Sequence, residues 1–253
     1  GLPRAGNTLF GSIMNQNLYI GVSANSICAD MMGELFLLKH TDIFKNYPDH
    51  KSFDNVAKKV FENYYKDWPY SYIIDRAPWG YPINLKFLKE TRPSVKIIVL
   101  VRDIIEILAS FIRWSEKEPT AFINQYGAKT VEEKCDMLMN KESQIVKELI
   151  GVKHLLDHQP KEIYHLVEYN DLVENPRKTI DGIYEFLGIP KFKHSFTNLD
   201  QFKVNDMEYD DADIGRGLHT IKTDAIYKDK YDAYNIIPKS IIEKYKQCNF
   251  WKG

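Results

Sequence analysis

The sequence is poor in cysteine: Cys28, Cys135 and Cys248 are the three in 253 residues. They are far apart and lack metal-ligand spacing, which excludes a disulfide framework and a cysteine-based metal knuckle. They read as reduced thiols in a reducing compartment. Net charge is nearly absent too, 34 Lys+Arg against 35 Asp+Glu leaving −1. With no overall basic field, neither a nucleic-acid partner nor an anionic membrane is expected, and any anion site has to be local. No apolar run approaches the roughly 18 residues of a membrane span. No signal-peptide pattern and no Asn-x-Ser/Thr sequon occurs, so a cytoplasmic location is expected. Repeats and low-complexity tracts are also missing.

What is present is an ordinary globular composition, 44% hydrophobic and 27% charged, long enough for a substantial core. Residues 8–17 (TLFGSIMNQN) read as a short helix, and 52–67 (SFDNVAKKVFENYYKD) as an amphipathic one. Two short apolar runs follow, YSYIID at 70–75 and VKIIVLV at 95–101. The second is β-branched and unbroken, as expected of a parallel strand buried on both faces. It leads through Arg102-Asp103 into IIEILASFIRW, a helix for which Asp103 is the expected N-cap. A long helical stretch is expected over 131–158, a strand over 162–172, and a helix in NPRKTIDGIYEFLGIP, between Pro176 and Gly188. EYDDADIG at 208–215 reads as a solvated loop. The order predicts one α/β domain over 1–253, with a central, mostly parallel sheet flanked by helices.

The chemistry starts at the first residue. GLPRAGNTLF holds glycine, four residues, glycine, then Asn7 and Thr8, close to the phosphate loop G-x-x-x-x-G-K-[ST]. The lysine is replaced by Asn7, and a cation stands earlier, at Arg4. Such glycines let backbone N–H groups converge on an anion, and the following helix adds its positive end. Without the lysine, ATP or GTP hydrolysis is not expected, because that cation neutralises charge on the transferred phosphoryl group. A phosphate loop normally follows a buried strand, so such a strand is expected ahead of Gly1, outside this sequence, where a leader or anchor would lie too. Further on, Arg102 closes the buried strand, and Ser110 follows eight residues later, about two helical turns. Arg76, in IIDRAPW, follows another short strand and points a second guanidinium toward the same sheet edge if the strands are parallel.

Together, GLPRAGNTL, VRD with its later serine, and VEYNDLVENPRKTIDGIYEFLGI resemble the sulfotransferase family. The style is nearest to tyrosylprotein sulfotransferases and related bacterial enzymes, and the likeness runs from Gly1 to about Lys222. It implies a P-loop-like fold. The implied reaction moves a sulfuryl group from 3′-phosphoadenosine 5′-phosphosulfate (PAPS) to a hydroxyl or amine, leaves 3′,5′-adenosine diphosphate (PAP), and needs no metal. Arg4, Ala5, Gly6, Asn7, Thr8 and Leu9 would form the 5′-phosphosulfate loop, with Arg4 also at the transferring group. Arg102 and Ser110 would hold the 3′-phosphate, and Tyr169 would sit at the nucleotide. Arg76 falls where the tyrosylprotein enzymes carry a transition-state lysine. GRGLHTIK at 215–222 resembles the C-terminal nucleotide loop, making Arg216, Gly217 and Lys222 phosphate contacts.

The pattern departs at the base. Where the tyrosylprotein enzymes carry a catalytic glutamate, an ungapped count lands on Asn25, which cannot accept a proton. Glu34, Asp30 and His219 remain open alternatives; each also reads plainly, the carboxylates as solvated helix residues and the histidine as a loop hydrogen-bonder. No basic cluster surrounds residues 20–35, so a small hydroxylated molecule or glycan is the expected acceptor rather than an acidic peptide. Tyr64, Tyr65, Trp68, Tyr70, Trp79 and Trp114 either line its cleft or simply pack. Two other classes stay open, a P-loop kinase using Asp103 for a metal and a non-catalytic nucleotide-binding module. Oligomeric state is not legible.

Overall fold

The unbroken apolar run at 95–101 does form a buried strand, and the rest of the chain is arranged around its carboxyl end. The structure is a computed structural model that describes residues 1–125, 127–228 and 230–252. In chain order the first half runs α1 (Asn7–Met14), β1 (Ile20–Val22), α2 (Cys28–Leu38), α3 (Asp42–Asn46), α4 (His50–Tyr64), β2 (Tyr72–Ile74) and α5 (Pro82–Thr91). The centre is β3 (Ile97–Val101), α6 (Ile104–Lys117), α7 (Phe122–Gln125), α8 (Val131–Leu138) and α9 (Gln144–His158). Then come β4 (Tyr164–Glu168), α10 (Tyr169–Glu174), α11 (Pro176–Leu187), α12 (Ala233–Ile236) and α13 (Lys239–Tyr245). No helix among the described residues is long and apolar enough to cross a membrane.

The α/β class is as expected, and both strand pairings are parallel. β1 pairs with β2 in the register Ile20↔Tyr72, and β3 with β4 in the register Ile97↔Tyr164. The strands form two separate two-stranded sheets rather than one continuous sheet. Between the pairs lies a mostly apolar cavity of about 750 Å³, edged by Ile20, Val22, Ile73, Ile97 and Val99. Leu2 enters beside β3, its N–H donating to the Leu100 carbonyl at 2.8 Å. Among the described residues β1, β2 and β3 end in turns, whereas β4 passes directly into α10; the carboxyl ends of strands are where open α/β sheets bind ligands.

Local chemistry explains the helix ends. Asp103 caps α6, its carboxylate accepting from Ile105 N–H at 2.9 Å and Glu106 N–H at 3.4 Å. The buried face of α6 carries Ile104, Ile107, Leu108, Phe111 and Ile112, and the helix packs beside α8, α12 and α13. α11 starts at Pro176 and stops at Gly188, whose φ of 71° turns the chain back. Two expectations need correction. The stretch 131–158 is two helices, because Thr130 and Glu133 close a capping box on α8 and Ser143 caps α9 anew. Within 162–172 the strand ends at Glu168, and Tyr169 begins a helix.

The proposed acceptor aromatics are largely packing. Tyr65, Trp79 and Trp114 are buried; Tyr64, Tyr65, Trp68 and Tyr70 meet edge to face along the α4–β2 connection. The three cysteines are unpaired, and burial pushes the Cys28 thiol up to about 12, so it stays a protonated thiol.

Candidate functional site

The opening loop is held from inside. Leu2 and Ala5 are fully buried, and the Asn7 side-chain amide donates to the Leu2 carbonyl at 2.7 Å. The residue in the lysine's place thus ties the loop to itself. Arg4 takes a left-handed backbone at φ 59° and Gly6 at φ 84°. The glycine is required there, because a Cβ would sit 3.1 Å from the Tyr169 ring and 3.2 Å from Leu172. This pair of reversed residues turns the chain into α1, whose first N–H groups open onto the loop.

Two distant segments brace the loop. Arg4 donates through Nε to Ser110 Oγ on α6 at 3.1 Å, and through Nη1 to the Leu218 carbonyl. Arg102, at the end of β3, is 8% exposed. It donates to Glu106 Oε2, to the Arg4 carbonyl and to the Tyr231 hydroxyl, each at 3.0 Å. Its guanidinium lies 4.1 Å over the Tyr169 ring, a stacked cation–π contact at the end of β4. Three of its five N–H bonds are so committed, leaving one on each terminal nitrogen.

Arg76, after β2, is positioned by the turn after β1. Its N–H donates to Ser23 Oγ at 2.8 Å, and its carbonyl accepts from Ser26 N–H at 3.1 Å. The neighbouring Asp75 is half-buried and accepts from the Tyr65 hydroxyl and, at 2.7 Å, from Trp79 Nε1. Burial raises its pKa, and it serves as an anchor for the turn. The Arg76 guanidinium donates to the Tyr209 hydroxyl.

The segment 205–222 crosses the mouth of these loops. Trp114 Nε1 donates to the Arg216 carbonyl at 3.0 Å, and Gly215, at φ 116°, lies so close to Trp114 that a Cβ would come within 2.6 Å. His219 Nδ1 pairs with Asp211 Oδ1 at 2.6 Å, and the other Asp211 oxygen accepts from His219 N–H at 3.0 Å. The imidazole stacks on Tyr209 with centroids 3.8 Å apart and planes 7° from parallel. Burial lowers the His219 pKa; Asp211 pulls it up, and the Arg76 and Arg4 charges push it down.

These residues enclose one cavity of about 220 Å³, lined by Arg4, Gly6 to Leu9, Arg76, Arg102, Ser110, Tyr169 and 218–222, among others. Four cations, Arg4, Arg76, Arg102 and Lys222, line it, and among the described residues no carboxylate does. In a chain of net charge −1 this is a local concentration of positive charge. Asp30 and Glu34 sit exposed on α2 and do not line it. Arg216 and Gly217 are exposed beside it and lie outside the lining. Ala5 is buried behind the loop. Sequence reasoning missed Tyr209, Asp211 and the serine clamp on Arg76. The acidic stretch offers no periodicity, and a three-residue strand such as β1 leaves almost no pattern to read.

A protein-family model described as the sulfotransferase family matches residues 1–194. Tyr209, Asp211, His219 and Lys222 lie beyond that match. Among solved structures, a sulfotransferase domain from the curacin biosynthetic pathway aligns over 98% of this chain and 89% of its own, at TM-score 0.51 and 16% identity. A sulfotransferase domain from the Synechococcus PCC 7002 olefin synthase aligns over 86% of this chain and 78% of its own, at TM-score 0.50 and 16% identity. At such identity the likeness is one of fold. No curated protein matches the chain.

Proposed function

This chain belongs to the sulfotransferase family, and on that premise we propose that it carries a sulfuryl group from PAPS to a hydroxyl or amine. The acceptor is a small molecule or glycan, and the enzyme works in the cytoplasm. The observation that carries the donor assignment is the cavity with four cations and no carboxylate in its lining among the described residues. A nucleotide with phosphates at both ends needs donors for each phosphate, and the cations are assigned to one or the other, with the Arg4 to Ser110 hydrogen bond joining the two groups. Arg4 and the α1 N-terminus form one subsite; Arg102, with its two uncommitted N–H bonds, and Ser110 form the other. Tyr169 supplies the flat face between them.

When bound, PAPS would supply an activated sulfuryl group on a phosphate leaving group. The residues present suit that chemistry. A sulfuryl group bears less negative charge than a phosphoryl group, so guanidinium groups and loop N–H donors are enough to stabilise charge on the leaving oxygen. An arginine also forks onto phosphate in a fixed geometry that a lysine lacks. Arg76, held by Ser23 and Ser26, also lines the cavity and is assigned to the transferring group. Lys222, whose ammonium lies 3.7 Å over the Tyr227 ring, adds a further charge at the rim. A kinase reading would need Asp103 for a metal, but Asp103 already caps α6 and binds Asn249 and Lys252.

The test is calorimetry with PAP and with 5′-AMP, without magnesium. PAP is expected to bind at least tenfold more tightly; equal affinities would overturn the two-subsite assignment. Turnover of radiolabelled PAPS across alcohols, phenols, amines and sugars then separates an enzyme from a binding module, and Arg4→Ala is expected to lose nearly all transfer.

A further inference from the structure

Sulfuryl transfer to a hydroxyl needs a group that takes the hydroxyl proton, and Asn25 cannot be that group. Of the three candidates, only His219 lines the anion cavity. Its surroundings are built for more than a loop hydrogen bond. Asp211 holds both its backbone N–H and its Nδ1, which fixes the ring and selects the tautomer with hydrogen on Nδ1. Nε2 is then the acceptor nitrogen. Tyr209 covers one ring face in near-parallel contact, and its own hydroxyl accepts from Arg76. One chain of contacts therefore joins Arg76, Tyr209, His219 and Asp211, and Arg4 of the phosphate loop reaches the same segment at the Leu218 carbonyl.

We propose that His219 is the proton acceptor of the reaction, oriented by Asp211 and Tyr209, and that an anionic donor in the cavity strengthens it by neutralising Arg4 and Arg76. This rests on the donor reading above. As the acceptor oxygen bonds to sulfur, its O–H bond breaks and the proton passes to Nε2. The sulfur–oxygen bond to the phosphate breaks at the same time, and its electron pair stays on the phosphate oxygen. Asp211 stabilises the resulting imidazolium, which returns its proton to water. The charged groups facing the imidazole are Asp211 on its own segment, Arg76 from the turn after β2 and Arg4 from the opening loop. Two of the three are cations that oppose protonation, so the base is weak until an anion offsets them. Transfer is thereby coupled to donor occupancy, with Asp211 and Tyr209 acting as positioning residues.

The experiment is nitrogen NMR of ¹⁵N-histidine-labelled protein titrated with pH, free and with saturating PAP, the His219 signals assigned with His219→Gln. The expected result is an Nδ1-protonated tautomer in the free protein. Its titration should move up by about one pH unit or more with PAP, tenfold in proton affinity. Asp211→Asn should abolish the tautomer preference and lower kcat with PAP affinity unchanged within threefold. His219→Gln should keep PAP affinity and lose transfer by about 10²–10⁴-fold. Hydrogen on Nε2 in the free protein, or full transfer by His219→Gln, overturns the base assignment. Calorimetric binding of PAP with an unmoved His219 titration overturns the coupling alone. Absence of PAP binding refutes the donor reading and the coupling together.

Discussion

Arg102→Ala tests the site most directly, because its side chain has two separable jobs. Three N–H bonds hold structure: one on Glu106, one on the Arg4 carbonyl and one on Tyr231. The two left over are assigned to the 3′-phosphate. A hydrogen bond to a charged partner contributes about 1.5–3 kcal/mol. Losing two therefore costs at least about 3 kcal/mol, or ~150-fold in the Kd for PAP. 5′-AMP has no 3′-phosphate, so its affinity should change far less. The structural cost is moderated because Glu106 keeps Lys228 at 3.0 Å. We expect about 2 kcal/mol of lost stability, near 4–8 °C in Tm for a chain this long. The assay is calorimetry of both nucleotides on wild type, Arg102→Ala and Arg102→Lys, with a thermal melt to verify folding. Arg102→Lys keeps a charge without the fork and should fall between the other two. If both nucleotides weaken by the same factor, Arg102 acts only by bracing the loop through the Arg4 carbonyl, and the 3′-phosphate assignment fails.

Gly6→Ala should fold yet bind PAP at least tenfold more weakly, since φ 84° and a Cβ only 3.1 Å from Tyr169 must deform the loop; unchanged affinity would show that the loop's shape is not needed. Trp114→Phe removes the donor to the Arg216 carbonyl, so amide exchange at residues 215–220 should speed up about fivefold, worth ~1 kcal/mol; unaltered exchange would mean the segment is held elsewhere. The histidines predict the pH dependence of stability. Burial lowers the pKa of His154, His165, His194 and His219 below the unfolded value. As pH falls below about 6.5 the unfolded chain takes protons that the fold refuses, and stability drops by at most ~1.4 kcal/mol per pH unit per histidine. Asp75, whose carboxyl burial pushes up, opposes this, but it is one group against four. Melts at pH 7.5, 6.5 and 5.5 should show falling Tm, and a flat profile would contradict the burial of these imidazoles.

The parts legible in the sequence are those where one residue type decides a local structure. VKIIVLVRD announces a buried strand, its end and a helix cap within nine letters, and Asp103 caps α6 as read. Pro176 and Gly188 bracket α11 for the same reason. The break between α8 and α9 was written in Ser143, but the apolar spacing on both sides masked it. Tyr169 shows a different limit. Glu168 and Tyr169 continue the apolar alternation of β4, and the switch to helix comes from packing under Arg102 and beside Gly6. Asp211 is harder still. A run of acidic residues reads as solvated, and its pairing eight residues on with His219 is a tertiary fact with no periodic trace.

The same contrast bears on how the cations divide their work. Arg102 is fixed by partners lying behind the cavity, Glu106 and Tyr231, so it can meet an anion without letting go of them. Arg4 and Arg76 are different, because each also donates to the 205–222 segment, at Leu218 and Tyr209. An anion that draws on either guanidinium competes with those contacts and pulls on the segment carrying His219. The rigid cation then sets where the nucleotide sits, while the two shared ones report its arrival to the base. Removing the Tyr209 hydroxyl separates these roles, since phenylalanine keeps the ring stack on His219 and cuts the link to Arg76. Tyr209→Phe should therefore leave PAP affinity within threefold of wild type. The PAP-induced movement of the His219 titration should shrink by about half, because Arg4 still acts on it. An unchanged movement would mean that the charges act through space and that the hydroxyl link carries no part of the coupling.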